Sequence, residues 1–403
     1  MLKNKEGNKE IILLYFVFFA SIFPTLINNT NIFYGKINQT LLWGWDVISL
    51  CIYLAITLFI AYKNKSKINI IHIIPALFLV IMQFFAYSQS DKYKTLYMIL
   101  PIVYLVHYLY AYVLFPTLKL EKQQIHKFFD VIIYFALILC VYNIIINYKY
   151  MLSLDMVGNK YIHISSLFSH RNAFGQFLFI SIVVNTLMYE ISKKQKYIYF
   201  AMFFLINLFF TFSRTSICTV IIFYIILYLT KCKTKKELLQ KVIIFISIIT
   251  LIVILCNNDK IMNMINFYVI RAEDGTSGRE NLWKISMEIL NGGTIIYGYG
   301  LGSTVNLLQD YSLTNTHNSY IEMLITGGII YLLTMLIFTM NIIKKLRQRW
   351  KQGEKSARIF WAALISFTVY MLFEKVLLFG TGYAPTIITL IFISIPMIYN
   401  KDN

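Results

Sequence analysis

Charge is scarce in this chain. Of its 403 residues only 14% are Asp, Glu, Lys or Arg, while 58% are hydrophobic and the mean hydropathy is +0.63. That shortage excludes a soluble globular domain of this length. Acids are the scarcer sign, 19 against 37 Lys and Arg. The five cysteines, Cys51, Cys140, Cys218, Cys232 and Cys256, lie in or beside apolar runs with no C-x-x-C spacing, which argues against a disulfide framework or a zinc site. No D-x-D or H-E-x-x-H motif appears, so chemistry without metal or cofactor is the default. Gly298-Tyr299-Gly300-Leu301-Gly302 lacks the G-K-[ST] of a nucleotide loop and reads as a turn. No internal repeat supports the inverted architecture common in transporters.

Apolar runs long enough to cross a hydrocarbon core of about 30 Å recur along the whole chain. They fall near 11–27, 41–62, 70–87, 95–115, 128–147, 173–189, 197–212, 215–230, 242–256, 318–343, 359–379 and 383–398. The expectation is a single all-α, polytopic membrane domain over residues 1–403, with about twelve transmembrane helices. The first run is long for a signal peptide and no small-x-small cleavage pattern follows Pro24, so it reads as a retained helix. A net charge of +18 would suggest nucleic acid in a soluble protein. Here about two thirds of the Lys and Arg fall in alternate connections and at the two termini, the bias that orients membrane helices. Nucleic acid is not expected; both termini are expected in the cytoplasm.

Two connections on the opposite, outer side are long: 148–172 and 257–317, between spans nine and ten. Loops of that size are usually functional or disordered, and the second carries helix punctuation. Ser277-Gly278-Arg279-Glu280 fits a capping box. Trp283, Met287 and Leu290 then form an apolar stripe, and Glu280, Lys284 and Glu288 a charge ladder, before Gly292-Gly293 stops the helix. An amphipathic helix near 278–290, lying over the outer mouth of the bundle, is the natural placement.

The chemistry-bearing residues gather on the same side. Arg214, in Phe212-Ser213-Arg214-Thr215, sits in a hairpin too short to clear the bilayer; an ionisable residue at such depth is functional by default, or snorkels to lipid phosphate. Arg279 stands in the first turn of a helix, where its charge opposes the macrodipole and, with free N–H groups, makes an anion site; alone it is equally a surface ion-pair partner. Arg171 adds a third cation at the end of the other long loop. His317 opens the tenth span; an imidazole there caps or packs a helix, or exchanges a proton near pH 6.5. Glu322 lies about one turn deeper and orients a donor, acts as a base or bonds a neighbouring helix. Glu374 and Lys375, adjacent near an outer helix end, are expected to pair with each other.

Ser213-Arg214-Thr215, Ser277-Gly278-Arg279-Glu280-Asn281-Leu282-Trp283, Gly298-Tyr299-Gly300-Leu301-Gly302 and His317-Asn318-Ser319-Tyr320-Ile321-Glu322, in that order and spacing, resemble the bacterial O-antigen ligase and polymerase family. The resemblance runs from about Arg171 to Gly328. It implies a GT-C-like glycosyltransferase on the outer face of the bacterial cytoplasmic membrane. Its donor and acceptor would be polyprenyl-pyrophosphate-linked oligosaccharides. Arg214 and Arg279, joined by Arg171, would hold pyrophosphate, and His317 or Glu322 would deprotonate the acceptor hydroxyl in an inverting displacement. Membrane lipid, a flippase and a chain-length regulator are the implied partners. A repeat-unit polymerase for O-antigen, capsule or exopolysaccharide is favoured over a ligase that moves finished glycan to a non-polyprenyl acceptor. A polysaccharide flippase would share the span count and the cations. Its site needs access from both sides, whereas the ionisable residues here lie mostly toward one face, with Asp46 and His72 the main exceptions.

Overall fold

A computed structural model describes residues 3–28, 39–66, 73–89, 95–153, 164–232, 279–309, 315–380 and 382–399, with a few isolated positions between 234 and 240 and at 311. All regular structure among the described residues is helical. The elements in order are α1 (Lys3–Asn28), α2 (Gln39–Lys63), α3 (Ile74–Ser88), α4 (Leu100–Tyr108, continued by a π-turn Leu109–Leu114), α5 (Lys122–Ser153), α6 (Arg171–Ser192), α7 (Lys196–Phe210) and α8 (Arg214–Leu229). Then follow α9 (Arg279–Glu288), α10 (Thr294–Tyr297), α11 (Ser303–Gln309), α12 (Ser319–Lys351), α13 (Lys355–Tyr370) and α14 (Tyr383–Thr389, continued by a π-turn Leu390–Ser394 and Ile395–Ile398). Six helical segments are long and apolar enough to cross a membrane: Glu10–Ile27, Leu41–Lys63, Tyr97–Thr117, Lys122–Met151, Arg171–Ser192 and Ser319–Lys351. Shorter apolar helices, Ile74–Ser88, Lys196–Phe210, Arg214–Leu229 and Tyr383–Ile398, stand among them. The expected ninth span, 242–256, lies outside the described residues.

Helix α6 is the centre of the bundle. Phe174, Phe177, Phe179, Ile182, Val183 and Leu187 are fully buried around its whole circumference, the signature of a helix enclosed by others. It touches α5, α7, α8 and α13. Peripheral helices leave apolar side chains outward, such as Phe59 on α2 and Ile81 on α3; these are lipid-facing positions. Because lipid tails are as apolar as leucine, helix association here relies on close packing and polar contacts. Asn143 donates to Asn207 at 3.1 Å, Asn185 to the Tyr197 carbonyl at 2.7 Å, and Tyr197 to Asp130 at 2.8 Å.

Two boundaries differ from the sequence reading. Helix α5 continues to Ser153, so the first long connection is 154–170. More consequentially, the apolar run at 359–379 is not one helix. Helix α13 ends at Tyr370, and 371–380 returns as irregular backbone with Leu378 and Phe379 buried. Such backbone is tolerated at membrane depth only where protein covers it and supplies its hydrogen bonds. Ser319 does so: its N–H donates to the Met371 carbonyl at 2.8 Å, and its hydroxyl lies 2.8 and 3.0 Å from the carbonyls of Glu374 and Val376 and accepts from Val376 N at 2.8 Å. Deeper, His107 Nδ1 lies 2.9 Å from the Gly380 carbonyl and 3.1 Å from its N–H, and Thr389 donates to the Leu378 carbonyl.

The glycine run at 298–302 is more than a turn. Helix α12 breaks at Gly328 (φ 63°, ψ −167°), and the carbonyls of Ile325 and Thr326, just before the break, accept from Tyr299 N at 2.8 Å and Gly300 N at 2.9 Å. Backbone meets backbone along this seam: a Cβ on Gly328 would lie 2.1 Å from the Ile296 carbonyl oxygen, and one on Gly298 2.4 Å from Gly327 N. From the other side, Gln83 of α3 accepts from Leu301 N at 2.6 Å and the Tyr87 hydroxyl bonds the Leu301 carbonyl at 2.6 Å. Gly328→Ala is therefore expected to cost on the order of 3 kcal/mol through the glycine-only conformation alone, with further loss from the clash. Gly44→Ala, with nothing near its Cβ, should leave the melting temperature in detergent unchanged; equal melting of the two variants would refute the seam.

Candidate active site

The motif at 317–322 spends each residue on one placement. His317 adopts a positive φ of 47°, held by its N–H donating to Asn315 Oδ1 at 2.9 Å. Asn318 is extended and caps α12, its Oδ1 accepting from Tyr320 N at 2.9 Å and Ile321 N at 3.1 Å, which satisfies N–H groups that a helix start leaves open. Ser319 staples the 371–376 backbone, and the Tyr320 hydroxyl donates to the Thr368 carbonyl at 2.8 Å. Together these fasten the start of α12 to the end of α13.

That fastening places Glu374 at the hub. Its Oε1 accepts from Arg279 Nη2 at 2.9 Å and from Asn172 Nδ2 at 2.6 Å. His317 Nδ1 lies 3.6 Å from its Oε2. The carboxylate is 10% exposed, the guanidinium 20% and the imidazole 40%, so the cluster opens outward through His317. Loop, α6, α9, α12 and the return segment thus converge on one carboxylate. Among the described residues Arg279 uses one of its five N–H donors, on Glu374.

Glu374 and Lys375 do not pair with each other as expected. Adjacent residues on irregular backbone point apart, and Lys375 Nζ lies 2.7 Å from Glu322 Oε1. Glu322 also accepts from Thr304 at 2.8 Å, and the Thr316 hydroxyl stands 3.1 Å from its Oε2 and 2.8 Å from the Asn318 carbonyl. With 2% of its side chain exposed, Glu322 has both oxygens engaged. Glu322 and Lys375 border a cavity of about 360 Å³ whose walls include Trp43, Tyr97, Tyr104 and Phe379.

Arg171, Arg214 and Arg279 are each the first residue of a helix. Helix α6 starts on His170, whose Nδ1 accepts from Asn172 N at 3.2 Å. Helix α8 starts after a hairpin in which Phe212 takes a positive φ of 50° and Ser213 N donates to Thr211 at 3.1 Å. The two starts press together at Gly175, where a Cβ would meet Ser216 Oγ at 2.6 Å. Ser213 in turn donates to Ser216 at 2.9 Å. Arg171 and Arg214 are half-buried on this rim, each with an interaction of its own.

On α9 the buried positions are Leu282 and Ser286, while Met287 is 48% exposed. The inward face is therefore the one that carries Arg279, offset from the stripe of Trp283, Met287 and Leu290. Trp283 spans the boundary, donating from its indole to the Thr316 carbonyl at 3.0 Å. Lys284 and Glu288 stand 4.0 Å apart on the exposed face, where a pair contributes little. Ser277 and Gly278, the proposed cap, lie outside the described residues.

The residues that sequence reasoning missed as a group are Asn172, Glu374, Lys375, Thr304 and Thr316. The available signal was two adjacent charges in an apolar run. Removing the Glu374 carboxylate as Glu374→Ala strands both Arg279 and Asn172, and is expected to lower stability by about 3 kcal/mol. Arg279→Ala should cost less, since Asn172 still satisfies the carboxylate. Reversible denaturation in mixed micelles ranks the two, and the opposite ranking would remove Glu374 from the hub.

No curated protein matches the chain. Residues 199–336 match the family model described as O-antigen ligase. The match covers about a third of the chain and takes in Arg214, Arg279, His317 and Glu322; Arg171, Asn172, Glu374 and Lys375 lie beyond it. Residues 199–336 are thus similar to the O-antigen ligase family, the family that the motifs resemble.

Proposed function

We propose that the chain is a glycosyltransferase of the bacterial cytoplasmic membrane that joins oligosaccharide repeat units carried on polyprenyl pyrophosphate. The site faces outward and both termini lie in the cytoplasm, as the distribution of Lys and Arg supports. The observation that carries the reading is the cluster of Arg279, Glu374 and His317, in which a guanidinium and an accessible imidazole of the segment that matches the family face one buried carboxylate that lies beyond it.

Glycosyl transfer breaks the bond between the anomeric carbon and the pyrophosphate oxygen, and the leaving pyrophosphate takes the electron pair. Arg279 and Arg214, with Arg171 beside them, stabilise that growing charge in a site of low dielectric. His317, turned by Glu374 through Nδ1, accepts the proton of the acceptor hydroxyl at Nε2 while the hydroxyl oxygen bonds the anomeric carbon from the opposite face. The 3.6 Å separation of Nδ1 from Glu374 closes to a hydrogen bond once substrate is present, as catalytic contacts commonly do. Glu322, already satisfied on both oxygens, holds Lys375 and the return segment in place and leaves the base role to His317.

A second reading, ligase-type transfer of finished glycan to a non-polyprenyl acceptor, is favoured by the description of the matching family and uses the same chemistry. Size-resolved glycan from a deletion strain separates the two: a single repeat unit on its carrier indicates polymerase, and long chains on the carrier indicate ligase. Purified protein that elongates lipid-linked repeat units in detergent would exclude pure transport. In that assay His317→Ala is expected to lose about 10²- to 10⁴-fold in rate and Arg279→Ala about 10²- to 10³-fold. Folded variants that both turn over normally would overturn the assignment.

A further inference from the structure

At the far end of α12 from His317 lies a second feature that the transfer chemistry leaves unused. Beyond the break at Gly328, one face of α12 and the facing sides of α3 and α4 enclose a groove of about 530 Å³, with Leu79, Tyr104, Tyr108 and Phe338 in its walls and Asn341, Lys344, Lys345 and Gln348 at its mouth. A neighbouring groove of about 320 Å³ shares Tyr112, Lys345 and Gln348 and runs on past Leu346, Ile393 and Met397 toward the end of α14. Tyr112 and Lys345 form the ridge between them. Phe338 closes the first groove from beneath, its ring 4.8 Å from that of Tyr112. Both volumes fall in the ~300–1,000 Å³ range of ligand pockets.

The charge at this mouth has no carboxylate partner among the described residues. Arg349, one turn further along, is neutralised by Glu354 at 2.7 Å. Among the described residues no carboxylate lies within 4 Å of Lys344 or Lys345, and both are exposed. They stand where the apolar stretch of α12 gives way to Lys344-Lys345-Leu346-Arg347, about 24 Å along the helix from Gly328. Two apolar channels flanking one cationic ridge match a molecule with two chains and a negative head.

We infer that this pair of grooves binds an anionic diacyl phospholipid of the lysine-rich leaflet, one acyl chain in each channel and its phosphate on Lys344 and Lys345. A juxtamembrane lysine contributes about fivefold to binding of an anionic lipid. The site is independent of the transfer reaction and separated from it by most of the length of α12.

Native mass spectrometry of the full chain in detergent, titrated with phosphatidylglycerol and with phosphatidylcholine of the same acyl chains, tests the assignment. Phosphatidylglycerol should be retained at least tenfold more strongly. The double variant Lys344→Gln/Lys345→Gln should lose roughly 25-fold of that retention with an unchanged melting temperature in lipid-free detergent. Lys194→Gln, an exposed lysine at the same end of the bundle but outside the grooves, should retain it fully. Asn341→Trp, which fills the mouth of the larger groove, should weaken both lipids. Equal retention of the two lipids by the wild type, or wild-type retention of phosphatidylglycerol by the double lysine variant, would overturn the proposal.

Discussion

The carboxylate of Glu374 is the point on which the site depends. A carboxylate this deeply placed is costly unless its oxygens are bonded, and two elements distant in sequence supply the bonds, Asn172 from α6 and Arg279 from α9, while His317 at the start of α12 stands 3.6 Å away on the solvent side. The need runs both ways. A half-buried guanidinium at the first position of a helix opposes the helix dipole, and the carboxylate makes that position tolerable. The electrostatic requirement of one side chain thus gathers the groups that the proposed transfer uses.

Glu374 reaches that point only because α13 stops early. Had 359–379 continued as helix, its charge would sit on a helix face at the bundle edge. Instead the backbone of 371–380 turns back inside the bundle, with Ser319 and His107 satisfying groups that the hydrocarbon would leave open. The same turn throws Lys375 the other way, onto Glu322. A buried ion pair of this kind contributes little net stability by itself but penalises alternative arrangements, because either partner alone would be stranded. The Glu322 and Lys375 pair fixes the return segment against α12 from below, and the staple by Ser319 fixes it from above.

The loop after α9 is fitted to this frame through glycines. At Gly298 and Gly328 a side chain would strike backbone, so the contact between loop and helix is one of main chains. The broken helix offers two carbonyls, and the loop offers the two N–H groups that meet them. Rigid support of this sort lets a long connection hold a precise geometry over a membrane helix.

The membrane class, the run of helices and the helix starts near Arg214, Arg279 and His317 were legible in the sequence, because hydropathy, charge bias and capping chemistry act over neighbouring residues. Arg279 at a helix start and His317 just ahead of α12 follow from such local signals. The partners did not. That Glu374 turns to Arg279 while Lys375 turns to Glu322 depends on a helix end that no local propensity marks, since 371–379 is as apolar as the helix before it. Likewise the buried face of α9 is set by where Arg279 must point, and only the carboxylate across the gap decides that. Hydrophobicity by itself determined that this chain lives in a bilayer and where its polar groups are rare; long-range satisfaction of those few polar groups, possible only once the helices are assembled, decided which of them meet.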